Sequence, residues 1–142
     1  LDWQFRSESR FGMTNQAKKV LVVEDDYFTQ KIIAEILKSA GYQVITARYA
    51  SATMKLVREQ KPDLITLDIN LAAETPEDLV DGFTVATWLK RLNPELEIPI
   101  IIVSGTDPNQ IVKGAAAIKA YTYLPKPVEK AKLLAAVAGA LK

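Results

Sequence analysis

Neither cysteine nor histidine occurs among the 142 residues of this chain. The first absence excludes disulfides, a thiol nucleophile and thiolate metal sites; the second removes the commonest transition-metal ligand and the general base tuned to neutral pH. Any metal bound here is therefore expected to be a hard cation on oxygen ligands. A dominant charge is missing as well. With 18 Lys and Arg against 17 Asp and Glu, the formal net charge is +1, so no global field recruits nucleic acid or an anionic membrane. No apolar run nears the ~20 residues of a membrane span, and no charged stretch followed by a hydrophobic one marks a leader, so the expectation is a soluble, cytoplasmic domain. Core material, by contrast, is abundant: 49% of residues are hydrophobic and 25% charged, which at this length suits one domain with one continuous core.

Residues 1–12, LDWQFRSESRFG, share no pattern with the rest of the chain, and Met13 opens a short polar lead into the first apolar run. Residues 1–17 are expected to be a poorly ordered tag or a linker from a larger parent, ahead of a globular unit over 18–142. From Val20 onward, β-branched apolar runs alternate with segments of helical period. Strands are expected at 20–24, 43–47, 63–68, 98–104 and 121–125. Between them, Ile32, Ile33, Ile36 and Leu37 outline one helix face, closed by Gly41; Ala52, Leu56 and Val57 outline a second, before Pro62. A third helix is expected from about Gly82 to Asn93 with Phe83, Ala86 and Leu89 inward, a fourth and Ala-rich one over about 108–119, and a fifth after Pro127 with Leu133, Leu134 and Val137 inward. Near-continuous apolar strands alternating with helices imply a doubly wound α/β domain, its parallel sheet covered on both faces.

In such a sheet the functional crevice lies beyond the carboxyl ends of the strands. The first strand ends in Glu24, Asp25 and Asp26, the third in Asp68, the fourth in Ser104 before Gly105, and the fifth region in Lys126 before Pro127. Two like charges about 4 Å apart repel by roughly 4 kcal/mol at an effective dielectric near 20, so clustered acids need a cation or full solvation. A Mg²⁺ ion on carboxylates from the first and third strands would remove that repulsion and polarise a phosphoryl group. Lys126 would neutralise another phosphoryl oxygen, Ser104 would hydrogen-bond a third, and one carboxylate, left as nucleophile, would become an acyl phosphate. Taken singly, each residue has a plainer reading. Acids after a strand commonly cap a helix, as Asp26 could; a Ser before Gly is commonly a turn, and a Lys before Pro surface. The combination at one end of successive parallel strands is what is specific.

The motifs VLVVEDD, DLITLD, IIIVSG, YLPKP and SAGY resemble the receiver domain of two-component response regulators across essentially all of residues 18–142. The resemblance implies a flavodoxin-like five-stranded parallel sheet of order 2-1-3-4-5 with helices on both faces. It also implies Asp68 as phospho-acceptor and Mg²⁺ held by an acidic pair, by Asp68 and by the backbone carbonyl of Asn70. The second acid of that pair usually lies sixteen residues before the Gly that ends the first helix, which selects Asp25 from Gly41 and gives Glu24 and Asp25, with Asp26 third. Ser104 and Lys126 keep the family's usual spacing of twenty-two, and Tyr123 falls on the aromatic switch position. The Lys126–Pro127 bond is expected to be cis. Implied partners are a histidine kinase or histidine phosphotransfer protein as donor and a downstream effector. Phosphorylation would act through the face made by the fourth helix, fifth strand and fifth helix, where homodimerisation is left open. The module would be a switch with self-catalysed phosphorylation and dephosphorylation, not a turnover enzyme.

One departure stands out. Receivers commonly place a Gly eight residues after the acceptor, whereas Asp68 to Gly82 is fourteen, with the extra residues in AAETPEDLV. A tolerated surface insertion is one reading; a loop that screens donors or docks an unusual partner is the other. Three rivals remain. An aspartyl-nucleophile phosphatase would need an Asp where Asn70 stands, and a flavin-binding domain would need a phosphate loop where the acids are. The third is a phosphorylation-independent receiver-like scaffold for protein interaction, against which the full complement of acids, hydroxyl and Lys argues.

Overall fold

Two strands set the architecture because nothing polar interrupts their burial. β3 (Leu64–Asp68) and β4 (Ile100–Ser104) are buried at every residue, and β1 (Lys19–Val23) at all but its first. Strands that are apolar on both faces must be covered on both faces. In the computed structural model, which describes residues 17–69, 82–92, 97–105 and 119–142, two further strands complete the sheet: β2 (Gln43–Ala47) and β5 (Thr122–Pro125). The order is β2-β1-β3-β4-β5 and each of the four pairings is parallel, with Val22 opposite both Thr46 and Thr66, and Ile102 opposite both Leu67 and Tyr123. The two edge strands are the half-exposed ones, as expected where one side of a strand has no neighbour.

Four helices cover the sheet among the described residues: α1 (Tyr27–Ser39), α2 (Ala50–Gln60), α3 (Gly82–Leu92) and α4 (Lys130–Ala140). Alternation along each strand sorts side chains between two layers. Leu21, Val23, Ile65, Leu67 and Ile102 pack with Val57 of α2 and with Val85, Ala86 and Leu89 of α3. Val20, Val22, Leu64, Ile101 and Val103 pack with Ile33 and Leu37 of α1 and with Leu133 and Val137 of α4. Each fully buried Leu, Ile or Val contributes about 1.5–3 kcal/mol relative to exposure, so these two layers supply the main drive for folding. No described helix is long and apolar enough to cross a membrane.

Local signals end the helices where the sequence implies. Gly41, at φ +93°, adopts the left-handed conformation, its N–H donating to the Lys38 carbonyl while the Tyr42 N–H donates to that of Leu37. This paired closure satisfies carbonyls that a helix end otherwise leaves open. α2 stops just ahead of Pro62, its cap Lys61 being itself left-handed at φ 47°. One helix residue differs from its expected place. Ile32 is about half exposed, because the buried stripe of α1 runs through Ile33, Ala34 and Leu37 and leaves Ile32 beside Phe28, one turn back on the solvent side. The helix expected over about 108–119, the side chain of Phe83, the segment 1–16 and residues 70–81 lie outside the described residues.

Candidate functional site

The chain leaves β1 to one side to form β2 and returns to the other side to form β3, so the direction of winding switches between β1 and β3. At such a point the loops after the two strands diverge and open a crevice at their carboxyl ends. Glu24 comes directly after β1 and Asp68 is the last residue of β3, which brings both carboxylates to that crevice. Both are buried, Glu24 at 1% and Asp68 at 3% exposure. Asp25 joins them: one carboxylate oxygen from each of Glu24, Asp25 and Asp68 lies within 4.8 Å of the others.

Asp26 is put to a different use. It caps α1, its carboxylate accepting from the Thr29 N–H at 2.9 Å and from the Thr29 hydroxyl. Those two hydrogen bonds hold its carboxyl below the ordinary value. Of the three consecutive acids, two thus face the crevice and the third starts α1.

Lys126 supplies the cation. It comes directly after β5, its backbone N–H donating to the Ser104 carbonyl at 3.1 Å and its bond to Pro127 cis. The ammonium lies 2.7 Å from Glu24 Oε1 and 3.3 Å from Asp68 Oδ2. Burial pushes the Glu24 carboxyl up to about 7; the Lys126 ammonium pulls it down and the Asp68 carboxylate adds to the rise. Burial also disfavours the charged form of Lys126, but its close ion pair with Glu24 and the charge and hydrogen bond of Asp68 outweigh it and raise its pKa. Once Glu24 is ionised, three carboxylates against one ammonium leave two negative charges in a mostly buried crevice. Glu24 Oε1 is close to Lys126 but poorly aligned for a hydrogen bond, so a buried acceptor lone pair remains to be used. An all-oxygen donor set, a surplus of two negative charges and an underused buried oxygen fit a hard divalent cation.

Ser104 ends β4, buried, next to Pro125 in register and tied to Lys126 through its carbonyl. Tyr123, half-buried in β5, packs against the layer beneath α2 and α3. Asn70 lies outside the described residues. Two residues not legible as site residues in the sequence also border the crevice. Gln30 of α1 donates its amide to the carbonyls of Glu24 (3.1 Å) and Ala47 (3.3 Å), and Arg48, just past β2, donates to the carbonyl of Asp25. Both bind backbone oxygens, a role with no sequence signature. The Thr29 cap, by contrast, has one: a hydroxyl three residues after an Asp at a helix start.

Comparison with known proteins agrees with this arrangement. Residues 20–138 match the family described as response regulator receiver domain. The polar-differentiation response regulator DivK of Brucella anthropi is 33% identical over 115 residues, covering 78% of this chain and 85% of that protein. Among solved structures, the receiver domain of NtrX from Brucella abortus superposes with a TM-score of 0.75 at 28% identity, covering 86% of this chain and 97% of that one. A CheY-like receiver domain protein from Methanospirillum hungatei gives 0.78 at 24% identity, over 89% and 94%, and supports the fold alone.

Proposed function

This chain belongs to the response regulator receiver domain family, whose members are signalling switches, and on that premise we propose that Asp68 is its phospho-acceptor. The observation that carries the reading is the meeting of the Glu24, Asp25 and Asp68 carboxylates at the β1/β3 switch point, with Lys126 paired to Glu24 and Asp68. The donor is a phosphohistidine on a histidine kinase or a histidine phosphotransfer protein. A carboxylate oxygen of Asp68 attacks phosphorus, the P–N bond breaks, and the electron pair leaves with the imidazole, giving an aspartyl phosphate and a neutral donor histidine once a proton is taken up. Lys126 neutralises phosphoryl oxygen charge during this transfer, and Ser104 donates a hydrogen bond to the phosphoryl group. Glu24, Asp25, Asp68 and the Asn70 carbonyl would hold a Mg²⁺ ion, which would offset carboxylate repulsion and supply Lewis-acid polarisation of the phosphoryl oxygens. The same residues serve hydrolysis of the aspartyl phosphate, so the domain resets itself without being a turnover enzyme.

Partner approach has support in the surface beside the site. Tyr27, Phe28 and Ile32 on the first turns of α1 are all more than half exposed, Phe28 to 74%, and the rings of Tyr27 and Phe28 meet edge to face. An apolar patch one turn from the acid loop suits a docking donor. The receiver unit spans 18–142 and acts in the cytoplasm on an effector protein rather than on nucleic acid. Ser104 and Tyr123 transmit the state of Asp68 to the face that includes β5 and α4, which also offers a homodimer surface.

Incubation with acetyl phosphate, with and without Mg²⁺, followed by intact mass measurement, tests the reading. One added phosphoryl group that depends on Mg²⁺ and disappears in Asp68→Asn is the expected result. Absence of an adduct, together with failure of beryllofluoride to bind, would favour the phosphorylation-independent scaffold instead.

A further inference from the structure

Asp25 is held differently from the other two clustered carboxylates. Glu24 and Asp68 share the Lys126 ammonium, and neighbouring Asp26 is occupied with Thr29. Among the described residues, the Asp25 carboxylate has no hydrogen-bond or ion-pair partner, and it is the least buried of the three. Its direction is therefore set by the backbone. That backbone is fixed at both ends of one peptide unit: the Asp25 carbonyl accepts from Arg48 Nε at 3.2 Å and Nη2 at 3.1 Å, while the Asp26 N–H donates to Glu24 Oε2 at 3.1 Å. That planar unit fixes the Asp25 Cα, and the preceding peptide is anchored as well, the Glu24 carbonyl accepting from Gln30 Nε2 at 3.1 Å; with the peptides on both sides of Asp25 held, the direction in which its Cα–Cβ bond departs is held too. Arg48 is itself steadied, its guanidinium 5.4 Å from the ring centre of Tyr49.

We infer that Arg48 is a positioning residue for metal binding: by gripping the Asp25 carbonyl from the β2–α2 turn, it holds the Asp25 carboxylate at the cation cluster. The inference rests on the metal reading above. It also runs against simple electrostatics, since an arginine near a cation site repels the cation through space. Positioning and repulsion therefore predict opposite signs when the residue is removed.

The test is calorimetric titration of Mg²⁺ into the parent protein, Arg48→Ala, Arg48→Gln and Arg48→Lys, with unfolding midpoints measured in the absence of metal. Loss of a residue that orients a metal ligand typically weakens binding about 10- to 100-fold, and a loss near the lower end is expected for Arg48→Ala. Arg48→Gln keeps an amide donor without the charge and is expected to recover most of the affinity, with metal-free midpoints close to the parent's. Arg48→Gln decides the matter if Arg48→Ala does not fold. Arg48→Ala binding as tightly as the parent, or tighter, would overturn the inference. So would Arg48→Lys at parent strength beside a weak Arg48→Gln, since charge rather than the hydrogen bond would then matter. A parent protein that binds no Mg²⁺ would instead overturn the metal reading on which the inference stands.

Discussion

The two ends of β1, Lys19 at its start and Glu24 just past its last residue, are only five positions apart and are built on opposite terms. At its start, Lys19 donates its backbone N–H to Asp63 Oδ2 at 2.7 Å and its ammonium to the carbonyl and side-chain oxygen of Gln60, all in solvent. At its finish, Glu24 is buried beside Asp68 and Asp25 with one ammonium among three carboxylates. The first end is balanced and screened by water, so it serves the fold and little else. The second carries surplus charge in a place where charge is costly, and that is the mark of a site kept for chemistry. A single strand, short enough to be rigid, thus joins a balanced end to one loaded with charge.

Lys126→Ala should break the contrast most sharply. It strands three carboxylates in the crevice, and loss of one partner from a buried ion pair costs about 3–5 kcal/mol, toward the low end here because Lys126 is partly exposed. Denaturant unfolding near neutral pH without metal should register that loss, Mg²⁺ should restore much of it, and acetyl phosphate labelling of Asp68 should fall. A variant as stable and as readily labelled as the parent would remove Lys126 from the site's charge balance.

Acidity sharpens the same comparison. With its carboxyl raised from 4.5 to about 7, Glu24 in the folded, metal-free protein keeps a proton that the unfolded chain has lost between those values. Stability without metal therefore falls as pH rises from about 4.5 to about 7, and Mg²⁺ binding, which needs the carboxylate, strengthens over that interval. Melting in chelator at about pH 5.5 and about pH 7.5 should place the higher midpoint at the lower pH by a few degrees. Glu24→Gln should remove most of the difference; an unchanged slope would assign it to another group.

Between the two ends, Thr66 is buried at the middle of β3 with no hydrogen-bond partner for its hydroxyl. An unpaired buried hydroxyl costs about 1–3 kcal/mol, so Thr66→Val, which keeps the branched shape, should raise stability by about 1 kcal/mol in denaturant titration. No gain would mean that a solvent molecule satisfies the oxygen. The smallest effect is expected at the balanced end, where Asp63→Ala should cost about 0.5–1 kcal/mol and leave phosphoryl labelling untouched.

Much of this is legible in the sequence because it is written in period and position. Apolar runs mark β1, β3 and β4, whose burial on both faces leaves the pattern unbroken, and strand ends mark the crevice. Choosing among Glu24, Asp25 and Asp26 is harder: three acids in a row differ only in where the backbone turns, and it takes the Thr29 cap to show where Asp26 goes. The α1 stripe departs from expectation at Ile32 for a related reason. Composition puts an isoleucine inside, whereas geometry allots α1 only the stripe through Ile33 and Leu37. Arg48 and Gln30 are invisible in the sequence, since a side chain that binds a distant carbonyl leaves no spacing to read.

β5 has only four residues and ends in Pro125, which brings no N–H to the sheet's open edge, and the other edge strand, β2, exposes Gln43 and Thr46. Neither edge offers a long apolar ladder on which a foreign strand could grow. Fibre-like stacking is thereby discouraged at both margins. A protein that reads this domain at its β5 margin must then do so through side chains such as those of Tyr121 and Tyr123 rather than by adding a strand, so its recognition can track side-chain rearrangement without the sheet itself being extended.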